Sequence, residues 1–299
     1  LLGATAAFLF YTTQIELGSR DFIRKNAVSV LLVFLAYLIR TEMLLLVLPM
    51  ICVAGAAKWG SEKKIFTRDH GVKYLSVIGL ILAGILVGET THRIACSSQQ
   101  WRSFTEFFNS RTELYDFQAP PDYESHRAFY EEIGLTESEK VLLDNYNFGM
   151  DEEIDQVMMG RLAEYAGAHQ SVQKPFFQKL GEKLKAYVYR LTHGPGTGAD
   201  YPWNYAVILG YLMVFLAGIV DKEASSFKVS FRKLFGIAWK LVFLFGVRTG
   251  LWMFILLRGR DPVRITHSLY LMELCILAAM FLTECKEMKC GAVKKGYRL

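Results

Sequence analysis

Residues 27–57, AVSVLLVFLAYLIRTEMLLLVLPMICVAGAA, form one apolar run that is interrupted near its middle by Arg40, Thr41 and Glu42. A single helix of this length would be about 46 Å long, which exceeds the hydrocarbon thickness of a membrane, about 30 Å. Two helices would have apolar arms of about 20 Å each, so the run predicts a short helical hairpin with its charged turn at the far membrane boundary. Charge at that depth is costly unless it is paired or faces water, which makes the turn a functional hypothesis.

Other apolar segments of similar length follow along the chain, and aromatic residues such as Trp59, Trp203 and Tyr205 lie at their ends, as in membrane spans. The fold class predicted is all-α: a polytopic transmembrane helical bundle with a helical extracytoplasmic insertion. The predicted membrane segments are 1–13, 27–39, 43–57, 74–89, 204–220, 234–257 and 266–283.

Basic residues predict the orientation of these segments. The loops 58–73 and 221–233 and the tail 284–299 are rich in Lys and Arg, which is typical of cytoplasmic loops. The hairpin interpretation places the basic loop 14–25 on the same side and the charged turn outside. The domains expected are therefore N-terminal membrane helices over 1–89, an extracytoplasmic insertion over 90–203 and C-terminal membrane helices with a basic tail over 204–299.

Composition agrees with a membrane protein. Hydrophobic residues make up 52% of the chain and charged residues 21%, with a mean hydropathy of +0.22, because the charges are concentrated between the apolar segments. The net charge of +5 is small and no basic tract is interleaved with aromatics, so no nucleic-acid partner is expected. The chain starts at Leu1 inside an apolar stretch without a basic leader region, and we interpret it as a fragment that begins within a helix.

The insertion has an acidic part and a basic part. Residues 112–165 contain fourteen Asp or Glu against three Lys or Arg and predict a small acidic helical cap. Within the cap, Thr136 and Glu139 have the spacing of a capping box, so a helix should start there. A second helix is predicted to open at Asp151, with acids at its positive end.

Residues 171–192, SVQKPFFQKLGEKLKAYVYRLT, predict an amphipathic basic helix. Such a helix lies in the membrane interface and attracts anionic head groups, or packs as an ordinary amphipathic helix on the cap. One face is apolar and much of the rest is basic. The apolar face contains Phe176, Phe177, Leu180, Leu184, Tyr187, Val188 and Leu191.

Two opposite charges are predicted to meet inside the membrane. Arg248 precedes Arg258 by ten residues and Glu273 follows Ile265 by eight, so both lie about 12–15 Å from the short loop that joins their helices. A buried pair follows, which either fixes the helix register or lines a substrate cavity.

Three arginines, Arg258, Arg260 and Arg264, crowd this same loop on the predicted outer side, against the usual distribution of positive charge. Arginine binds phosphate oxygens as a planar fork, so they predict either an anionic lipid or pyrophosphate ligand, or simple anchoring to head groups. In the hairpin turn, Glu42 would act as a general base, bind a metal or only neutralise Arg40.

No metal centre or cofactor is predicted, because the sequence lacks zinc, Walker, nucleophile-elbow and calcium-loop motifs. The cysteines form no framework and are expected to be structural thiols. They are Cys52, Cys96, Cys275, Cys285 and Cys290.

The segment FLAYLIRTEMLLLVLPMICV, residues 34–53, resembles the hairpin with a charged turn of GT-C glycosyltransferases, membrane enzymes that use polyprenyl-phosphate sugars. The segments 259–277 and 129–155 resemble polytopic proteins of bacterial surface-glycan gene sets. The GT-C class carries its catalytic carboxylate in the first outer loop, which we expect to lie before Leu1. The resemblance implies a transferase with a polyprenyl-phosphate-linked sugar as donor.

The leading hypothesis is a multi-pass protein of a bacterial plasma membrane that acts in surface-glycan assembly and contacts membrane lipid. Its phosphate-bearing substrate would bind Arg40, Arg248, Arg258, Arg260, Arg264 and Glu273, and its catalytic residue would be Glu42. The alternatives are a transporter or flippase for a lipid-linked or anionic substrate, and a non-catalytic scaffold.

Overall fold

The computed structural model describes residues 1–62, 67–169, 175–196, 198, 200–219, 231–259 and 261–296, with side chains described except at 231, 232 and 287–296. This part of the chain contains helices and no β-strand. The twelve α-helices are α1 Leu2–Thr12, α2 Ser19–Ile39, α3 Thr41–Trp59, α4 Arg68–Ala95, α5 Gln99–Thr112, α6 Arg127–Ile133, α7 Glu137–Asp144, α8 Gln156–Ala168, α9 Phe176–Thr192, α10 Trp203–Ile219, α11 Phe231–Arg258 and α12 Val263–Gly296.

Five stretches within the described residues are long and apolar enough to cross a membrane, as in a multi-pass membrane protein. Each is close to or beyond the roughly 20 residues that a span requires. They are Ser19–Ile39, Thr41–Trp59, Arg68–Ala95, Lys233–Arg258 and Val263–Lys286. The two shorter apolar helices, α1 and α10, also occupy predicted segments.

A single residue separates the two arms of the predicted hairpin. Arg40 is extended, with φ −161° and ψ 92°, between the end of α2 and the start of α3. The predicted arm length was wrong: α2 has 21 residues and α3 has 19, so each is about 30 Å long and sufficient to span. The arms are longer because both helices continue into charged residues, from Arg20 to Lys25 in α2 and to Lys58 in α3.

The chain divides into two compact units. The first comprises Leu1–Gly88, Glu182–Leu256 and Asp261–Leu299, and the second comprises Glu89–Gly181 with Leu257–Arg260. In the first unit, α1 packs on α2, α3 and α12, and α10 packs on α12. Small residues allow this close approach, as is common between membrane helices. Ala7, Ala54 and Ala57 are at most 1% exposed.

Two glycines of α4, Gly84 and Gly88, form a small-residue face toward α2. A Cβ added at Gly84 would lie 3.2 Å from the Phe34 ring, and one at Gly88 would lie 2.6 Å from the Tyr37 ring. The glycines are four residues apart and therefore share one side of the helix. Their missing side chains are what allows the aromatic rings of α2 to pack against the α4 backbone.

The second unit contains α5–α8 around an apolar core in which Leu114, Tyr130 and Leu143 are fully buried. The predicted capping box is confirmed: Thr136 and Glu139 cap α7 reciprocally. The second predicted helix starts later than expected, at Gln156. The reason is that Asp155, not Asp151, accepts the hydrogen bonds of the first helical N–H groups.

Candidate polar site around Arg248 and Glu273

The predicted pair of Arg248 and Glu273 joins α11 to α12. The Nε of Arg248 donates a hydrogen bond of 2.7 Å to Oε2 of Glu273, and both residues are 0% exposed. The loop between the two helices is short, so residues at equal distance from it face each other, which is why counting along the sequence found the pair. Among the described residues, neither side chain is open to solvent.

Two tyrosines complete the hydrogen bonds of the pair. Tyr211 of α10 donates to Oε1 of Glu273 at 2.8 Å, and Nη1 of Arg248 donates to the hydroxyl of Tyr187 of α9 at 2.6 Å. The Tyr187 hydroxyl also lies 3.0 Å from the hydroxyl of Thr249. Both carboxylate oxygens are thus satisfied, as a buried charge requires.

Sequence reasoning missed both tyrosines, although one signal was present. Tyr211 lies eight residues inside α10 from Trp203, about 12 Å along the helix axis, close to the depth computed for Glu273. The apolar periodicity of residues 171–192 accounts for the ring of Tyr187 and gives no sign of a partner for its hydroxyl. Tyr187 is the one fully buried residue of α9 among those described.

Three aromatic rings surround the Arg248 guanidinium. Its Cζ lies 5.3 Å from the ring centroid of Tyr187, 5.5 Å from that of Trp252 and 5.4 Å from that of Tyr270. These distances allow cation–π attraction, which is strongest where water is excluded. Within the described residues, Nη2 of Arg248 and Nε1 of Trp252 have no hydrogen-bond acceptor.

A second arginine extends the polar contacts toward the loop between α11 and α12. Arg190 of α9 forms an ion pair with Asp261 and lies 4.0 Å from Asp200. Its Cζ lies 5.8 Å from the centroid of the Trp252 ring, so the two arginines share this ring. The polar contacts therefore continue from Glu273 inside the span to Asp261 at its end, and we call this series the polar column.

Asp200, between α9 and α10, belongs to the outer part of the polar column. It accepts a hydrogen bond of 3.3 Å from the Tyr270 hydroxyl. Burial raises the pKa of the Asp200 carboxyl above its ordinary value, while the positive charge of Arg190 acts in the opposite direction. Asp200 is thus the carboxyl of this loop at which protonation is favoured.

Three other predicted site residues lie at exposed positions. Arg40 and Glu42 have side chains 55% and 80% exposed, with the Arg40 Nε 3.8 Å from Oε2 of Glu42. Within the described residues, no hydrogen bond or ion pair joins either of them to Arg248 or Glu273. Arg264 is also exposed, at the start of α12.

The two remaining predicted arginines are Arg258 and Arg260. Arg258 belongs to the second unit, where its Cζ lies 5.6 Å from the centroid of the Phe117 ring. Arg260 lies outside the described residues.

A second buried polar cluster, which sequence reasoning missed, surrounds the end of α1. Lys58 donates to the carbonyl oxygens of Tyr11, at 2.6 Å, and Thr13. Lys73 donates to the carbonyl of Ile15 at 2.8 Å and lies 3.7 Å from Glu62. Both lysines had only been counted as loop charges. The Lys58 ammonium group satisfies carbonyls at the end of α1 and that of Lys73 satisfies a carbonyl just beyond it, which explains why both lysines tolerate burial.

No metal-binding group of three or more His, Cys, Asp or Glu occurs in the part of the chain that the structure describes. No protein-family model matches this chain, and no curated protein or solved structure is significantly similar to it.

Proposed function

We propose that this multi-pass membrane protein acts in cell-surface glycan assembly in a bacterial plasma membrane and binds a lipid-linked, phosphate-bearing sugar. The proposed reaction is glycosyl transfer of the GT-C type. In the proposed orientation the Lys- and Arg-rich loops are cytoplasmic, and residues 90–203 are extracytoplasmic. The hairpin turn at Arg40 and the start of α12 then lie on the outer side.

One observation at the start of α12 carries the proposal. Asp261, the acid nearest to Arg264 in the loop, is engaged by Arg190. Within the described residues, Arg264 has no acidic partner, and its side chain is exposed in the first turn of the helix. The first N–H groups of a helix carry partial positive charge, which an arginine in the same turn reinforces. This combination favours a phosphate oxygen as ligand.

Glu42 is the proposed general base, and its exposure supports this role. With 80% of its side chain exposed, the carboxylate is accessible to an acceptor hydroxyl. Its contact with Arg40, at 3.8 Å between Nε and Oε2, is too long for a hydrogen bond. A carboxylate that is accessible and only loosely paired can take up a proton during transfer.

Phosphate binding can be tested with a short-chain polyprenyl phosphate and the polyprenyl alcohol of the same length. We expect the protein in nanodiscs to bind the phosphate and not the alcohol. Arg264→Gln should weaken phosphate binding by about 10- to 100-fold, since a charge-assisted hydrogen bond contributes about 1.5–3 kcal/mol. Arg161→Gln is the matched control, because Arg161 is an exposed arginine of α8 in the second unit.

Equal affinity of the Arg264→Gln and Arg161→Gln proteins, or equal binding of the alcohol, would contradict the phosphate site. Transfer is tested separately with Glu42→Gln in cells that require the protein for a surface glycan. We expect this variant to reach the membrane at normal levels and to bind the phosphate, but to make no glycan. Normal glycan production would exclude Glu42 as the base.

A transporter or flippase is the second proposal, and the polar column supports it. Ionisable side chains inside a span often mark a substrate or proton path. Tyr211→Phe removes one hydrogen bond to Glu273 without leaving an unpaired charge, so it tests a path without unfolding the bundle. In proteoliposomes, translocation of a fluorescent anionic phospholipid that slows in Tyr211→Phe would favour transport, and absence of translocation by the unmodified protein would contradict it.

A further inference from the structure

The C-terminal part of α9, residues 182–192, binds the membrane helices through Tyr187 and Arg190. The Tyr187 hydroxyl contacts Arg248 and Thr249, and Arg190 pairs with Asp261. Thr249 lies nine residues before the end of α11, about 14 Å along its axis. Tyr187 therefore reaches side chains inside the span, and this part of α9 lies beside the membrane helices.

Next to Tyr187 on the same helix, the segment exposes apolar side chains. Leu184 and Val188, one helical turn apart, are 47% and 49% exposed, and the Tyr189 side chain is 39% exposed. A helix of a water-soluble protein turns its apolar stripe to the core. Apolar side chains that stay exposed beside a contact with membrane helices are appropriate where the surrounding medium is hydrocarbon.

The lysines beside these apolar side chains indicate that the surrounding medium is a lipid membrane. Lys185 is exposed and Lys183 is half-buried, both in the turn that carries Leu184. Lysines beside an apolar stripe extend their amines to the head-group level and attract anionic lipids. A second copy of the chain is a poorer partner, since a two-fold contact through this face would bring the same lysines together.

We propose that residues 182–192 form a lipid-contact surface at the membrane boundary, with Leu184 and Val188 among acyl chains and Lys183 and Lys185 at anionic head groups. This surface is independent of the proposed glycan function. It favours the interfacial alternative for the basic amphipathic helix over simple packing on the cap. It also fixes the depth at which Tyr187 and Arg190 enter the polar column.

Brominated lipids, which quench tryptophan emission on contact, test the proposed surface in nanodiscs. Val188→Trp places a reporter on the surface, and Val141→Trp is the matched control, because Val141 is an equally exposed valine of α7. The emission added by each substitution is obtained by subtracting that of the unmodified protein. We expect brominated acyl chains to remove most of the added emission of Val188→Trp and little of that of Val141→Trp. Equal quenching of the two, or none at Val188→Trp, would overturn the proposal.

The head-group preference is tested in the Val188→Trp background. Nanodiscs containing brominated phosphatidylglycerol should quench more strongly than nanodiscs with the same fraction of brominated phosphatidylcholine. The Lys183→Gln/Lys185→Gln double variant should lose that difference, whereas Lys25→Gln, at an exposed lysine of α2, should retain it. If the two lipids quench Val188→Trp equally while Lys183 and Lys185 are present, the proposed binding of these lysines to anionic head groups is overturned. Protection of Val188→Trp by a chain-to-chain contact, detected by cross-linking at this face, would assign the surface to a second copy.

Discussion

The Arg248 guanidinium and the Glu273 carboxylate form a hydrogen-bonded ion pair, 2.7 Å from Nε to Oε2, between two helices long enough to cross a membrane. Replacing Arg248 alone with Met should lower the free energy of unfolding by about 3–5 kcal/mol, because Glu273 would remain buried without its partner. The measurement is unfolding of the purified protein in mixed micelles, followed by circular dichroism.

The double variant Arg248→Met/Glu273→Leu tests whether the unpaired charge of Glu273 causes this loss of stability. It should recover most of the loss, since it removes both charges and fills similar volumes. Arg93→Met, in the exposed pair with Glu89, provides a control in which a change of at most about 1 kcal/mol is expected. A double variant as unstable as the single one would show that Arg248 is held mainly by its aromatic neighbours.

Packing of α4 on α2 predicts opposite effects for two glycine substitutions. Gly88→Ala would place a Cβ 2.6 Å from the Tyr37 ring and should cost about 1–3 kcal/mol through overpacking. Gly79→Ala meets nothing within 4 Å and should be neutral or stabilising by up to about 1 kcal/mol, because alanine favours helix. Equal melting temperatures of the two variants would contradict this packing.

Lys58→Met should destabilise the end of α1. Its ammonium group donates to two carbonyls and lies 5.8 Å from the centroid of the Phe10 ring. Hydrogen bonds from a charged donor contribute about 1.5–3 kcal/mol each, so the loss should exceed about 3 kcal/mol. Hydrogen exchange should accelerate in α1 and not in α7. Lys25→Met, at an exposed lysine, serves as the control, and an unchanged α1 in Lys58→Met would refute the capping role.

The raised pKa of Asp200 predicts a pH dependence with a definite sign. The folded protein holds the Asp200 proton more tightly than the unfolded chain, in which an aspartic acid titrates near about 3.9. The contribution of this group to stability is therefore present at low pH and is lost as the pH rises through the folded-state pKa. Asp200→Asn cannot ionise and should lose this decline. Melting temperatures measured from about pH 4 upward test it, and parallel curves would contradict it.

Counting residues along the sequence located the Arg248–Glu273 pair because the short loop between α11 and α12 fixes their relative depth. The same counting underestimated α2 and α3, because it ended each arm at the first charge. Lys58 continues α3 because its ammonium group binds a carbonyl at Tyr11, a residue 47 positions away in the sequence. A partner so distant in sequence leaves no local signal.

Helix starts were also hard to predict where several neighbouring polar residues could serve as the N-cap. The capping box at Thr136 was recognised because both of its residues lie within four positions of each other. At 151–155, three acids competed with Asp155 for the cap, and only the backbone path determines which carboxylate reaches the free N–H groups. The role of Tyr187 was hidden for a related reason: sequence periodicity gives the direction of a ring and says nothing of the partner of its hydroxyl.

The connection between α2 and α3 contains only one residue, Arg40. Helix α2 continues to Ile39 and α3 starts at Thr41, so one extended residue makes the whole connection. Inserting or deleting one residue in α3 just after the turn would rotate the rest of the helix by about 100° about its axis. The face that carries Val47 and Ile51, which lie beside Gly3 of α1, would then turn away from α1. The distance along the chain from Arg40 to this face is therefore as constrained as the residues themselves, and length variation in this protein belongs in its other connections.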